Sequence, residues 1–401
     1  MLHKRIITEN EDIFNFIKKI KMDMHLTKIQ NLYLVLFIMC LTISGSYNKI
    51  LNISKMYFVN RHKTSIGRFL SDSKWNADKV LNLYQKFIRK IIWSISLNTR
   101  EPIKVIIDDT VLEKTKPSSK AKKPSEKCGY HHSHTKGKRV YGYQVVIVLF
   151  KCGMVKLPYS IKLYDKNKMS KIQMAIDTIS SLPKPIYDGY ILSDSWYSSE
   201  KVIKASKKAG YTYIGAIKTN RLLYPKNYRQ SVPISFLAKD LSKEDFDLVT
   251  VKKSKYYVYK YIGAINGFKK VVILICYPEN KFGKKECLKS FISTNCNMNA
   301  ICILNFYSER WDIEVFIRTN KMIFGLKGIQ VRNYIAVKKF LLIQMIAYAY
   351  VASQDINYSF LRSLKKIRNN TNKNLIHYIY FLVKEENKTL DEVENAVLKA
   401  C

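Results

Sequence analysis

The chain has 401 residues, enough for a full hydrophobic core and for two or three domains. It carries 69 Lys and Arg against 31 Asp and Glu, a formal net charge of +38, while 47% of its residues are hydrophobic. That excludes a disordered polycation, and because such self-repulsion gains nothing in stability, a polyanionic partner, nucleic acid above all, explains the charge.

Along the chain, Met1–Met24 is charged and polar throughout, unlike a signal sequence. The apolar run YLVLFIMCLTI, Tyr33–Ile43, falls short of the ~20 residues that span a bilayer and predicts a buried helix over Ile29–Ser44. The next segment has a helix-turn-helix look. Apolar periodicity runs to Val59, a polar break covers Asn60–Lys63, and Thr64 would cap a second helix backed by Ile66, Phe69 and Leu70. Arg61, Lys63 and Arg68 would then meet phosphates; the alternative is a plain three-helix packing unit with a basic surface.

From Pro102 the texture changes. IKVIIDDT, Ile103–Thr110, reads as a buried strand ending in acids. A lysine-rich loop follows, then two strands, GYQVVIVLF and MVKLPYSIKLYD. A helix at Lys171–Leu182, a strand within Tyr187–Tyr197, a helix at Glu200–Ala209 and a strand at Thr212–Lys218 complete the series. Three strands, helix, strand, helix, strand is the order of a ribonuclease-H-like mixed α/β sheet. Asn220–Lys289 interrupts it as a β-rich insertion, and helices resume near Asn297 and continue to the end. The expected organisation is a helical region 1–98, a core split into 99–219 and 290–345 around the insertion 220–289, and a helical region 346–401.

Acids that close apolar strands lose water and need a countercharge, which a bound metal supplies. Asp109, beside Asp108, closes the first core strand, and Asp194 closes the fourth. In a ribonuclease-H-like sheet these strands are neighbours, so both carboxylates can hold the same hard cations, with Glu314 on a later helix as a third oxygen ligand. Singly, each aspartate is equally readable as a turn cap. Asp108 and Asp109 point to opposite faces of the strand, so only one can face the metal. In YSERWDIEVFIRTNK, residues 307–321, Tyr307, Arg310, Glu314 and Lys321 fall within an arc of about 60° on an ideal helix, with Arg318 beside them. A solvated face with an ordinary i,i+4 pair of Arg310 and Glu314 is the plainer alternative.

The spacing Tyr307, two residues, Arg310, three residues, Glu314, six residues, Lys321 resembles the YREK signature of bacterial insertion-sequence transposases of the DDE class. Members with a β-rich insertion before the glutamate are the most similar. IDDT at Ile107–Thr110, LSDSWYSS at Leu192–Ser199 and HHSHTKGKRVYGYQVV at His131–Val146 resemble their other motifs, so the likeness covers about Ile103 to Asn333. It implies a homodimer that binds the terminal inverted repeats of its own element in double-stranded DNA. Such an enzyme nicks each end, cuts the other strand through a hairpin and joins the ends to target DNA. It further implies Asp109, Asp194 and Glu314 as ligands of Mg²⁺, or of Mn²⁺ in its place, with Asp109 favoured as the residue directly before Thr110. Arg310 and Lys321 would grip phosphates beside the cut, with Tyr307 and Arg318 on the same strand.

Trp196, after the second aspartate, can stack on a displaced base or pack under the sheet. Cys128, His131, His132 and His134 match no standard zinc spacing, and a basic loop contacting DNA through His132 and Lys136 is preferred. Eight scattered cysteines without a CxxC pair suit a reducing, prokaryotic cytoplasm, with the nucleoid as the expected location and no membrane. The competing functions are a derelict or domesticated DNA-binding protein and a metal-dependent nuclease without strand transfer.

Overall fold

Two long apolar helices and one continuous sheet divide the buried residues of this chain. A computed structural model describes residues 11–44, 49–56, 59, 61–120, 124–133, 136–328, 330–354 and 359–398. The N-terminal part is helical: α1 (Glu11–Lys19), α2 (Lys28–Ser44), α3 (Ile50–Ser54), α4 (Lys63–Ser71) and α5 (Ala77–Thr99). Leu34 to Leu41 of α2 are all buried, as an apolar run without a polar face requires. The predicted helix-turn-helix differs in detail. α3 stops at Ser54 rather than Val59, and α4 starts one residue before Thr64, because the His62 imidazole accepts the Thr64 N–H at 3.3 Å and so caps the helix itself.

The core follows as β1 (Ile103–Glu113), β2 (Gly129–Ser133), β3 (Lys138–Cys152), β4 (Val155–Leu163), α6 (Lys171–Ser180), β5 (Gly189–Ser193), α7 (Glu200–Lys208) and β6 (Thr212–Ala216). β4 and β1 flank β3 antiparallel, while β5 and β6 run parallel to β1, giving the order β4-β3-β1-β5-β6. That is the ribonuclease-H-like arrangement, with β1 central and buried from Ile103 to Ile107. Ser170 and Ser199 cap α6 and α7 through their side chains.

Next come β7 (Leu222–Leu223), β8 (Val232–Pro233), α8 (Ile234–Asp240), β9 (Asp247–Val251), β10 (Ser254–Ile265), β11 (Phe268–Pro278) and β12 (Lys289–Ser293). β12 pairs antiparallel with β6, so these strands prolong the core sheet through β11 and β10. The open edge of β6 is thereby covered, which removes a site for unwanted strand pairing.

The chain closes with α9 (Ala300–Ser308), α10 (Trp311–Met322), α11 (Tyr334–Ser353), α12 (Phe360–Lys384) and α13 (Leu390–Leu398). α11 is long and apolar enough to cross a membrane, yet 83% of its apolar window is buried inside the fold. It packs on β4, α2, α4, α5 and α12 as a core helix. Tyr84 on α5 donates to Pro158 O on β4 at 2.6 Å, tying the N-terminal helices to the sheet, and Lys339 on α11 donates to Ser73 O just after α4 at 2.6 Å, tying them to α11.

Candidate functional site

Alternation along β1 sends Lys104, Ile106 and Asp108 to one face and Asp109 to the other. Asp109 is held on its side by three donors. Lys171 Nζ lies 2.9 and 3.0 Å from its two oxygens, Gln144 Nε2 donates at 2.6 Å and the Tyr197 hydroxyl at 2.9 Å. Of the two adjacent acids, Asp109, the one that the resemblance favours, is therefore on the side of β1 away from Arg310 and its partner Glu314.

Asp108 is on the side that Arg310 covers. Its Oδ2 accepts from Arg310 Nη1 at 3.0 Å, and Arg310 Nη2 also bonds Glu314 on α10. The parallel register pairs Ile107 with Ser193, so Asp194 follows β5 next to Asp108. Asp194 Oδ1 accepts the N–H groups of Trp196 at 3.0 Å and Tyr197 at 3.3 Å, a turn that fixes the carboxylate just beyond the strand end. Burial pushes the Asp108 carboxyl up to about 7; Arg310 pulls against this, and the Asp194 charge adds to it. The Tyr307 hydroxyl joins the same group. Burial raises it, Arg310 opposes the rise, and the charges of Asp194 and Asp108 reinforce it.

Tyr307 and Arg310 do not share a regular helix with Glu314. α9 ends at Ser308 and α10 begins at Trp311, and the two meet at a two-residue corner, Glu309 and Arg310, that keeps right-handed helical dihedrals. There the N–H groups of Glu309, Arg310, Asp312 and Ile313 bond three residues back, the tighter pattern of a 3₁₀ turn. The Arg310 guanidinium still lies 5.8 Å from the centre of the Tyr307 ring, and its ordinary charge is reinforced: burial lowers its basicity, but Tyr307, Asp108 and Glu314 outweigh it.

Lys321 reaches the end of β1 from the far end of α10, donating to Thr110 Oγ1 at 2.6 Å and Val111 O at 3.2 Å. Arg318 is exposed. Trp196 is 52% exposed, with Lys171 Nζ 4.6 Å from its ring centre, whereas Tyr197 is fully buried. His132 is exposed on β2, and Lys136 pairs with Glu113. Arg61, Lys63 and Arg68 are exposed around the start of α4, Arg68 with Asp72 at 3.9 Å. His134 lies outside the described residues.

Among the described residues no three His, Cys, Asp or Glu side chains are gathered closely enough to hold a metal ion. The donor set nevertheless fits a divalent cation. Asp108, Asp194 and Glu314 are hard oxygen ligands, and the guanidinium bonded to Asp108 is shared with Glu314. Arg310 Nε is buried without a hydrogen-bond partner among the described residues, which leaves its side chain less than fully held. Sequence reasoning named Asp108 as the alternative to Asp109 but missed Lys171 and Gln144, which bond Asp109. Strand alternation separates the two aspartates but does not say which face the glutamate helix covers.

No curated protein sequence matches the chain. A cryo-electron microscopy structure of the piggyBac transposase synaptic complex with hairpin DNA is similar over 92% of this chain and 87% of that one, at 12% identity. Its TM-score of 0.42 is too low to decide anything about this chain. The sequence model of the transposase DDE domain matches residues 99–350, from just before β1 into the last turn of α11. That match spans more than half of the chain, which therefore belongs to the transposase DDE domain family.

Proposed function

We propose that this chain is a cut-and-paste transposase that binds the terminal inverted repeats of an insertion sequence as a homodimer. It cuts the strands at each end by way of a hairpin and joins the freed ends to target DNA. The observation that carries the reading is Arg310 bonded to both Asp108 on β1 and Glu314 on α10, with Asp194 beside Asp108 at the end of β5. These three carboxylates would hold Mg²⁺, or Mn²⁺ in its place. Bound there, the ions would activate the attacking water or 3′-hydroxyl and stabilise the leaving oxygen.

The chain's own residues do the rest. Arg310 is the countercharge of Asp108 and Glu314 at rest, and once those acids have another partner its fork is free to take a phosphate beside the cut. Tyr307 and Lys321 border the same strand, and Trp196 offers an exposed ring for a displaced base. Asp109, clamped by Lys171, Gln144 and Tyr197, keeps the end of β1 still. Arg318, His132, Lys136 and the α4 cations Arg61, Lys63 and Arg68 extend the basic track, with region 1–98 as the recognition unit. The work takes place on nucleoid DNA in the cytoplasm.

In a gel assay with labelled terminal-repeat DNA and Mg²⁺, Glu314→Gln is expected to lose cleavage by about a thousandfold while binding survives. A wild-type chain that binds but cuts in neither Mg²⁺ nor Mn²⁺ is the derelict binding protein. Cleavage without joined products is the plain nuclease. Replacing Arg61, Lys63 and Arg68 together with alanine is expected to flatten the salt dependence of binding by about three phosphate contacts. An unchanged slope removes α4 from the DNA surface.

A further inference from the structure

Beneath the corner between α9 and α10, three lysines lie abreast across three strands. Lys104 on β1 is the direct partner of Lys151 on β3, and Lys151 is the direct partner of Lys156 on β4. Like charges opposite one another on neighbouring strands repel, and Lys104 is buried, so this row needs anions laid over it. The corner supplies two. Glu309 takes Lys104 Nζ at 2.7 and 2.8 Å and Lys151 Nζ at 2.6 Å; Asp312 takes Lys151 at 2.7 Å and Lys156 at 2.6 Å. Lys104 Nζ also lies 5.0 Å from the centre of the Phe306 ring on α9. Burial pushes the Glu309 and Asp312 carboxyls up, but the lysines outweigh it and hold both below their ordinary values. Lysines and carboxylates thus alternate along the row.

We propose that the ladder Lys104–Glu309–Lys151–Asp312–Lys156 sets the position of Arg310 and Glu314 against Asp108, with Glu309 and Asp312 as positioning residues for strand cleavage. The proposal rests on the transposase reading above. Lys104 and Asp108 share a face of β1 four residues apart, about 13 Å along the strand. Glu309 and Asp312 alternate in sequence with Arg310 and Glu314, so gripping the first pair at the lysine row fixes where the second pair meets Asp108. The corner needs such a grip, since its N–H groups bond three residues back and lack the regular helical ladder. An undocked corner would leave three lysines facing one another, which makes docking all or none.

The test combines hydrogen exchange with single-turnover cleavage of terminal-repeat DNA at saturating DNA and Mg²⁺. Glu309→Gln with Asp312→Asn is expected to speed amide exchange over residues 306–316 about tenfold while exchange in β5 and β6 is unchanged. The same variant is expected to lower the cleavage rate about tenfold at unchanged DNA affinity, while Lys151→Arg, which keeps the charge, stays within about 1.5-fold of wild type in both measurements. Should the double variant unfold, Lys156→Met strips only the outermost lysine and is expected to move both readouts about threefold. Unchanged corner exchange, an unchanged rate, or a loss confined to DNA affinity overturns the proposal. A wild-type chain that cuts no DNA overturns the transposase reading instead, and the exchange measurement still judges the corner.

Discussion

Asp108→Asn is expected to abolish strand cleavage while leaving the metal-free protein as stable as wild type or more so at pH 8. Asp109→Asn is expected to do the reverse. The sign follows from linkage. Asp108 titrates near 7 in the folded chain against 3.8 ordinarily, so between about pH 4 and pH 7 the folded state holds a proton that the unfolded state has lost. Its contribution to stability is therefore most favourable below that window and is lost as pH rises through it. Asparagine has no charge to bury, which is worth about 1–3 kcal/mol at pH 8, part of the shift being offset by a weaker bond to Arg310. Asp109 is bonded to Lys171, Gln144 and Tyr197 in a largely buried setting, and neutralising it leaves Lys171 without its anion. That costs about 2–4 kcal/mol, and cleavage at a temperature where the variant stays folded drops by less than about tenfold. Urea titrations at pH 5 and pH 8, set beside the gel assay, read both effects. A stable, inactive Asp109→Asn with a melted Asp108→Asn would exchange the two roles.

The sheet was legible because β1, β3, β4, β5 and β6 are β-branched runs separated by lysine-rich or capped segments, and their order with α6 and α7 admits few topologies. Glu314 and its partner Arg310 were legible from spacing alone, and the two remain bonded. The choice between Asp108 and Asp109 was not, because period-two alternation is symmetric until the covering helix is known. Nor was the corner at Glu309 and Arg310. YSERWDIE has no glycine or proline to mark a break, and the lysines that pair with Glu309 and Asp312 lie on strands far away in sequence. The pairing of β12 with β6, which joins the later strands to the core edge, is likewise a long-range contact that periodicity does not encode. His62 displaced Thr64 as a cap by a local competition between two acceptors.

Arg310→Gln is expected to make stability depend on divalent cations. The guanidinium is bonded to both Asp108 and Glu314, and Asp194 stands close enough to raise Asp108 further. Removing it leaves a buried carboxylate without its countercharge, a loss of about 3–5 kcal/mol. The deficit is largest at high pH, since without Arg310 the Asp108 carboxyl titrates still higher and its protonation relieves the deficit as pH falls toward about 7. A cation that takes over the carboxylates restores stability by mass action, about 2.7 kcal/mol at a hundredfold excess over its dissociation constant. In the wild-type chain the same cation must first displace the guanidinium, so its stabilising effect is smaller. Melting curves of both proteins in Mg²⁺, Mn²⁺ and K⁺ at equal ionic strength separate site binding from general screening. A variant whose melting point responds to Mg²⁺ no more than wild type does would mean that the three acids share no cation, and the centre built on Asp108 would fall with it.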